Sequence, residues 1–190
     1  MSRDWIAAAV RGGVDLIQLR DKTLSDDELV EAARAFVGHD ALFILNDRPD
    51  LVDACGADGI HVGQDDDPPK VARAAVGPDR IVGRSTHAPD QAAAAEADED
   101  VDYLAVGPVH ATPTKPVRPA AGLAYVSHAA ETVKKPWFAI GGLDAGNVHE
   151  VVERGATRIV VVRAITEAAD PEAAARALRD ALEGRVGAGR

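Results

Sequence analysis

The sequence has only one cysteine, Cys55, among its 190 residues, so no disulfide can form within the chain. This fits the reducing environment of the cytoplasm. No apolar run approaches the roughly 18 residues that a membrane-spanning helix needs. The N-terminal residues lack the charged-then-apolar layout of a signal peptide. With 46% hydrophobic and 27% charged residues, we expect an ordinary soluble globular protein.

Basic residues are also few: 21 Lys and Arg stand against 31 Asp and Glu, a formal net charge of −10. No basic face is visible in the sequence, which argues against nucleic acid as a partner. Anionic small substrates are not excluded, because salt screens most repulsion beyond about 8 Å. The cations that stand inside a site decide whether such substrates bind.

A repeated unit organises the chain: an Ala-rich helical stretch, a small residue, a polar residue and then a short β-branched run. Apolar runs without clean alternation are typical of strands buried on both faces, and strands that alternate with helices predict parallel βαβ units. No linker divides the chain, so we expect one domain over 1–190 with a loose tail at 184–190. Strands are predicted near 14–19, 41–45, 58–62, 80–84, 102–106, 136–140 and 158–162.

Seven predicted strands are one fewer than a closed barrel of this type contains. The chain opens on a predicted helix over 5–11, where a strand would be expected first. We therefore expect an α/β fold: a (β/α)8 TIM barrel that lacks its first β-strand, or an open barrel. Helix starts are predicted at the capping box that begins with Ser25 and at Asp170-Pro171.

Polar residues follow the first three predicted strands, where sites form in parallel barrels. Alternate residues share a face of an extended segment, so Gln18, Arg20 and Lys22 would point together into the barrel mouth. Arg and Lys suit phosphate groups. Asp47 and the acidic run 65–67 offer hard oxygen ligands that suit Mg²⁺. The alternative for the first strand end is a solvated charged loop. Asp47 could instead cap a helix that begins near Pro49, and the acidic run could lie at the N-terminus of a helix.

The later strand ends carry residues that suit anions. Ser85 either donates to a phosphate or caps the next helix, and His87 is assigned a structural role. The long loop 107–121 holds two threonines and a lysine, which form either an anion clamp or part of a rigid proline-rich loop. Backbone N–H groups near Gly142 resemble the phosphate site that barrels often build from their last two loops.

Taken together, these motifs make the chain resemble the thiamine phosphate synthase family. They occur in the order and at the spacing found in that family, from residue 14 to about residue 165. The matching segments are Gln18-Leu19-Arg20-Asp21-Lys22, Asn46-Asp47-Arg48, Gly59-Ile60-His61-Val62-Gly63-Gln64, Gly83-Arg84-Ser85-Thr86-His87, Gly107-Pro108, Thr112-Pro113-Thr114-Lys115 and Ala139-Ile140-Gly141-Gly142.

The resemblance implies an Mg²⁺-dependent transferase of thiamine biosynthesis. It joins 4-amino-2-methyl-5-hydroxymethylpyrimidine diphosphate to a thiazole phosphate and releases diphosphate by dissociative substitution. Arg20, Lys22 and Lys115 would be catalytic, because they stabilise the charge on the departing diphosphate. The implied pyrimidine diphosphate ligands are Gln18, Arg20, Lys22, Asn46, Ser85 and Lys115; the metal ligands are Asp47 and Asp66; the thiazole contacts are Thr112 and Thr114; and the phosphate site is Gly142, Val162 and Arg163.

Two other functions stay open at this point. A thiazole tautomerase-like relative shares the barrel but has no diphosphate to neutralise, so the set of cations and carboxylates argues against it. A barrel without its first strand is the second alternative, an impaired protein that binds phosphate without turnover. The expected partners are the two small-molecule substrates, with neither nucleic acid nor membrane, and a homodimer is possible because an open sheet exposes edges.

Overall fold

The fold is a single parallel sheet of seven strands, seen in a computed structural model that describes residues 4–111 and 120–184. Each strand pairs in parallel with its neighbours in sequence. The seven predicted strands are confirmed, although the last is shorter than predicted. The strands are β1 (Leu16–Leu19), β2 (Leu42–Asn46), β3 (Gly59–Val62), β4 (Ile81–Thr86), β5 (Tyr103–Val106), β6 (Trp137–Ile140) and β7 (Ile159–Val160).

Helices connect the strands in the order expected for βαβ units, and a 3-10 turn covers Pro49–Leu51. At Ser25 the Glu28 carboxylate accepts hydrogen bonds from the Ser25 N–H and Oγ. Asp170 caps the last helix by accepting from the Ala173 N–H, as predicted. The helices are α1 (Asp4–Arg11), α2 (Asp26–Ala33), α3 (Val52–Cys55), α4 (Pro69–Val76), α5 (Pro89–Ala97), α6 (Gly122–Thr132), α7 (Val148–Glu153), α8 (Arg163–Thr166) and α9 (Pro171–Glu183).

Two apolar clusters join the strands to their helices. One contains Ile6, Leu29, Phe43 and Val82 and covers the first half of the chain, while the other is centred on Leu104 and its neighbours in the second half. Strands β3 and β5 are buried along their whole length. This explains why their sequences run without alternation between apolar and polar residues.

Within the described ranges the sheet is open, because β1 and β7 each pair on one side only. Helices α1 and α9 pack against each other at this open side of the sheet. Helix α1 ends against α9 so tightly that a Cβ on Gly12 would lie 2.4 Å from the Glu172 carbonyl oxygen. Arg11 Nε also donates to the Glu172 carboxylate at 2.8 Å. The prediction of a parallel α/β fold is confirmed as a seven-stranded partial barrel.

No helix in the described part of the chain is long and apolar enough to cross a membrane.

Candidate active site

Strand register places several of the predicted site residues on one face of the sheet. Gln18 is opposite Ile44, and Asn46 is opposite His61. His61 is in turn opposite Gly83, two residues before Ser85. Side chains at paired positions point to the same side of a sheet, as do residues two apart in a strand. Gln18, Asn46 and Ser85 therefore share a face with His61, as the sequence alternation predicts for Gln18.

Lys22 joins the two predicted metal carboxylates. Its Nζ lies 2.7 Å from Asp47 Oδ2 and 3.1 Å from Asp66 Oδ1. Asp66 is held from the other side by the Gly63 N–H, which donates to Oδ2 at 2.8 Å. The structure thus brings together three residues that belong to three different strand ends.

The interpretation of these carboxylates as helix caps is wrong. The 3-10 turn after β2 is capped by Arg48, not Asp47, and no side-chain capping bond is present. Helix α4 begins at Pro69 after Pro68, with no acidic residue in its first turn. The Asp47 and Asp66 side chains instead face Lys22.

The backbone at Asp47 adopts an unusual conformation. Asp47 and Arg48 both have positive φ, 55° and 53°, in the left-handed region that few non-glycine residues occupy. Such residues cost about 1–3 kcal/mol each and persist where their surroundings hold them, often at functional sites. Here Arg48 pairs with Asp26 at 2.7 Å and with Asp50 at 2.8 Å. These contacts hold Arg48, the residue that follows Asp47, in place.

The carboxylate pair has a strongly perturbed protonation equilibrium. Burial raises the pKa of Asp47, and the neighbouring Asp66 carboxylate raises it further. Burial opposes ionisation of Asp66 too, but Asp47, the Gly63 N–H and Lys22 hold its pKa at about 2. Hydrogen bonding to Asp47 raises the pKa of Lys22. The Lys22 ammonium partly offsets these effects on the pKa of Asp47, and a metal ion beside the carboxylate would stabilise its ionised form in the same way.

The residues present fit a magnesium ion. Asp47 Oδ1 is buried and has no hydrogen-bond partner among the described residues, so one carboxylate oxygen is left for a ligand. In the described ranges no group of three or more His, Cys, Asp or Glu residues could hold a metal by itself. Magnesium ions are usually bound by one or two carboxylates together with substrate phosphates and water, which matches this pair.

A buried polar chain lies beside the carboxylate pair and was missed in the sequence. His61 Nδ1 is 2.9 Å from the Tyr103 hydroxyl, and Nε2 is 2.8 Å from Ser85 Oγ. All three side chains are buried. Gly83 makes room for this chain, because a Cβ there would lie 2.1 Å from Tyr103 Cζ. Ser85 is thus held in place by His61 and does not cap α5, whose N-cap is Ala88.

A cavity of about 290 Å³ opens at the C-terminal ends of β4 to β7. Its lining includes four of the predicted binding residues: Ser85, Gly142, Val162 and Arg163. No other described residue accepts a hydrogen bond from the N–H of Gly142 or Val162. Both backbone donors remain for a ligand. His87 also lines this cavity, where its Nδ1 contacts the Gly107 carbonyl oxygen.

Gly142 is required at its position for two reasons. Its φ is +65°, and a Cβ would lie 2.8 Å from the His110 Cβ. The Asn147 side chain fixes this turn by donating to the Gly142 carbonyl oxygen at 2.8 Å. The turn therefore presents backbone atoms to the cavity at close range.

Some predicted residues are less constrained or fall outside the described ranges. Gln18 is half-buried, and Arg20 is exposed with no hydrogen bond or ion pair to another described residue. Thr112, Thr114 and Lys115 lie outside the described residues, as do residues 185–190 of the predicted tail. Seven of the described site residues form two groups: the carboxylate pair with Lys22, and the four residues that line the cavity at β4 to β7. Ser85 lines the cavity and contacts His61, whose carbonyl oxygen accepts from the Asp47 N–H.

A family model for thiamine monophosphate synthase matches residues 2–165. The chain belongs to this family. The thiamine-phosphate synthase of Thermus thermophilus is 56% identical over 188 residues, which cover 95% of this chain and 89% of that protein. That of a Mycobacterium species is 52% identical over 199 residues, with 96% and 86% covered.

A solved structure is similar over the same extent. The thiamine phosphate pyrophosphorylase from Pyrococcus furiosus superposes with a TM-score of 0.86 at 33% identity, covering 97% of this chain and 90% of that one. The resemblance predicted from the ordered motifs is confirmed. The individual residue roles stay predictions.

Proposed function

We propose that this protein is a thiamine-phosphate synthase, a transferase that couples 4-amino-2-methyl-5-hydroxymethylpyrimidine diphosphate to a thiazole phosphate. Membership of the family and the Thermus thermophilus relative support the activity. The observation that carries the mechanism is the contact of Lys22 with both Asp47 and Asp66. At this edge of the sheet, two carboxylates could bind a metal ion and the neighbouring ammonium could bind the diphosphate attached to it.

In this mechanism the protein stabilises a leaving group and supplies no nucleophile. Arg20, Lys22 and Lys115 would bind the diphosphate, with Gln18, Asn46 and Ser85 as its polar contacts. The negative charge on the diphosphate grows as its bond to the pyrimidine methylene breaks, so fixed cations stabilise the transition state more than the substrate. A bound Mg²⁺ would add to this neutralisation, with Asp47 and Asp66 as its protein ligands.

The thiazole phosphate would occupy the cavity at β4 to β7. The backbone N–H groups of Gly142 and Val162 would bind its phosphate, and Arg163 at the start of α8 would add a charge. Thr112 and Thr114 would contact the thiazole. The bond between the pyrimidine methylene and diphosphate breaks first, and the ring nitrogen of the thiazole then attacks the resulting methylene cation.

The architecture that we propose is a (β/α)8 barrel lacking one strand, formed by residues 1–190 as one domain. The gap between β1 and β7 in the described residues supports this arrangement. A homodimer that covers a strand edge is tested by light scattering of the purified chain.

A steady-state coupling assay tests the function. The full chain, given both substrates and Mg²⁺, should release diphosphate and form thiamine phosphate, and chelation of the metal should stop both. Binding of the pyrimidine diphosphate separates this function from that of a tautomerase-like relative. A chain that binds the thiazole phosphate but neither binds nor consumes the diphosphate would contradict the proposal.

A further inference from the structure

Lys22 lies where a metal ion between Asp47 and Asp66 would lie. Its ammonium contacts one oxygen of each carboxylate, at 2.7 Å and 3.1 Å. A magnesium ion binds oxygen at about 2.0–2.1 Å, so a metal shared by these carboxylates would occupy nearly the same space. Two cations this close to each other would also repel. The ammonium and the metal therefore exclude each other.

We propose that Lys22 holds this position in the ligand-free protein, and that metal entry releases its ammonium to the diphosphate. The inference rests on the proposed magnesium site at Asp47 and Asp66. It adds a second task for Lys22, as a placeholder that keeps the carboxylates together before substrate arrives.

The contacts around the three residues show which part can move. Asp66 is fixed by the Gly63 N–H at 2.8 Å, and Asp47 is fixed through its own N–H, which donates to the His61 carbonyl oxygen at 2.9 Å. The Lys22 side chain is 50% exposed, against 18% for Asp47 and 24% for Asp66. The lysine stem is thus the flexible member of the group.

The backbone beside Lys22 is held in place. The Asp21 carboxylate accepts hydrogen bonds from the Thr23 N–H at 2.8 Å and from Thr23 Oγ1 at 2.6 Å. Because this turn fixes the chain on one side of Lys22, release of the ammonium needs only rotation about side-chain bonds.

A thermodynamic consequence follows for the order of binding. Metal alone must displace an ammonium that then has no anion to contact, so metal alone binds weakly. Diphosphate supplies that anion, so each ligand strengthens binding of the other by the same factor. The placeholder therefore couples the metal and the diphosphate.

The test is metal binding without any substrate, measured by calorimetry on the full-length chain. Wild type is compared with Lys22→Met, which keeps an unbranched side chain but has no ammonium. We expect Lys22→Met to bind Mg²⁺ about tenfold more tightly, because no charge-assisted contact has to be broken. Arg20→Met is the matched control for simple loss of charge at the same strand end, with an expected effect of about twofold.

A second readout follows the amine itself. The acylation rate of Lys22, measured by mass spectrometry, should rise when Mg²⁺ is added, whereas that of the exposed Lys70 on α4 should not change. Equal metal affinity in wild type and Lys22→Met, or equal gains in Lys22→Met and Arg20→Met, would overturn the placeholder role. An unchanged Lys22 acylation rate at saturating metal would do the same.

One further variant separates this inference from the proposed function. If Asp47→Asn abolishes metal binding while Lys22→Met leaves the affinity unchanged, the metal site stands and only the placeholder fails. If Asp47→Asn binds Mg²⁺ as wild type does, the metal site and the placeholder both fail, whereas the coupling assay still reports whether the enzyme is active.

Discussion

Replacement of Asp47 by asparagine should separate activity from stability. The variant keeps the shape of the side chain but removes the charge that would bind Mg²⁺; the Asp47 Oδ1 atom is buried without a partner among the described residues. A charge-assisted interaction of this kind is worth about 1.5–3 kcal/mol. The contact with Lys22 at 2.7 Å belongs to the ligand-free protein and does not enter this magnitude. We therefore expect kcat/KM in the coupling assay to fall roughly 10- to 150-fold.

The same change should leave the fold intact. Burial and the adjacent Asp66 carboxylate raise the pKa of Asp47, so the folded protein holds its charge at a cost. Asparagine carries no charge and tolerates the left-handed conformation found there. The free energy of unfolding should therefore stay within about 1 kcal/mol of wild type or rise, as measured by urea denaturation.

Asp53→Asn serves as the control for this variant. The Asp53 side chain is 88% exposed on α3 and pairs with Arg80 at 2.7 Å, away from the carboxylate pair. Loss of the Asp53 charge should leave kcat/KM unchanged. An Asp47→Asn enzyme within twofold of wild-type kcat/KM, or one that no longer folds, would refute the reasoning.

Three further changes test other parts of the structure. Burial raises the pKa of Tyr103, so above about pH 10 the unfolded chain loses a proton that the folded chain keeps, and stability falls by about 1.4 kcal/mol per pH unit. In Tyr103→Phe the free energy of unfolding, measured with urea between pH 9 and 11, should fall less steeply with pH than in wild type. Equal slopes in the two proteins would contradict this prediction. Gly12→Ala places a Cβ 2.4 Å from the Glu172 carbonyl oxygen, so the free energy of unfolding should drop by about 1–3 kcal/mol; Gly146→Ala, whose nearest neighbour is a side-chain oxygen at 3.2 Å, should change less. Lys115→Ala should lower turnover roughly 10- to 150-fold at unchanged melting temperature, and full turnover would count against its role.

Much of the fold follows from local sequence. Small residues before short β-branched runs predict all seven strands within two or three residues at each end. The last strand, predicted over 158–162, ends two residues earlier than predicted, because a continuous apolar run does not reveal where the chain turns. The structure ends β7 at Val160 and begins α8 at Arg163, and Val162 between them leaves the extended conformation with φ −120° and ψ −81°.

The site was only partly predictable because its contacts are not local. Alternation along β1 agrees with the register that puts Gln18 on the same face as His61, but nothing near Lys22 indicates contact with Asp66, 44 positions away. The polar chain from Tyr103 through His61 depends on a glycine in the strand between them. A polar residue such as His61 inside the otherwise apolar β3 was the available signal, and register is needed to connect it to Ser85.

The junction of α1 with α9 joins two helices that lie far apart in sequence. Arg11 and Glu172 are 161 positions apart, so their contact closes almost the whole described chain into one loop. The entropy that such a closure removes grows slowly with loop length, but contacts between distant segments form late and slow the overall rate. During synthesis, the part of α1 that packs on α9 must therefore stay uncovered until α9 has left the ribosome.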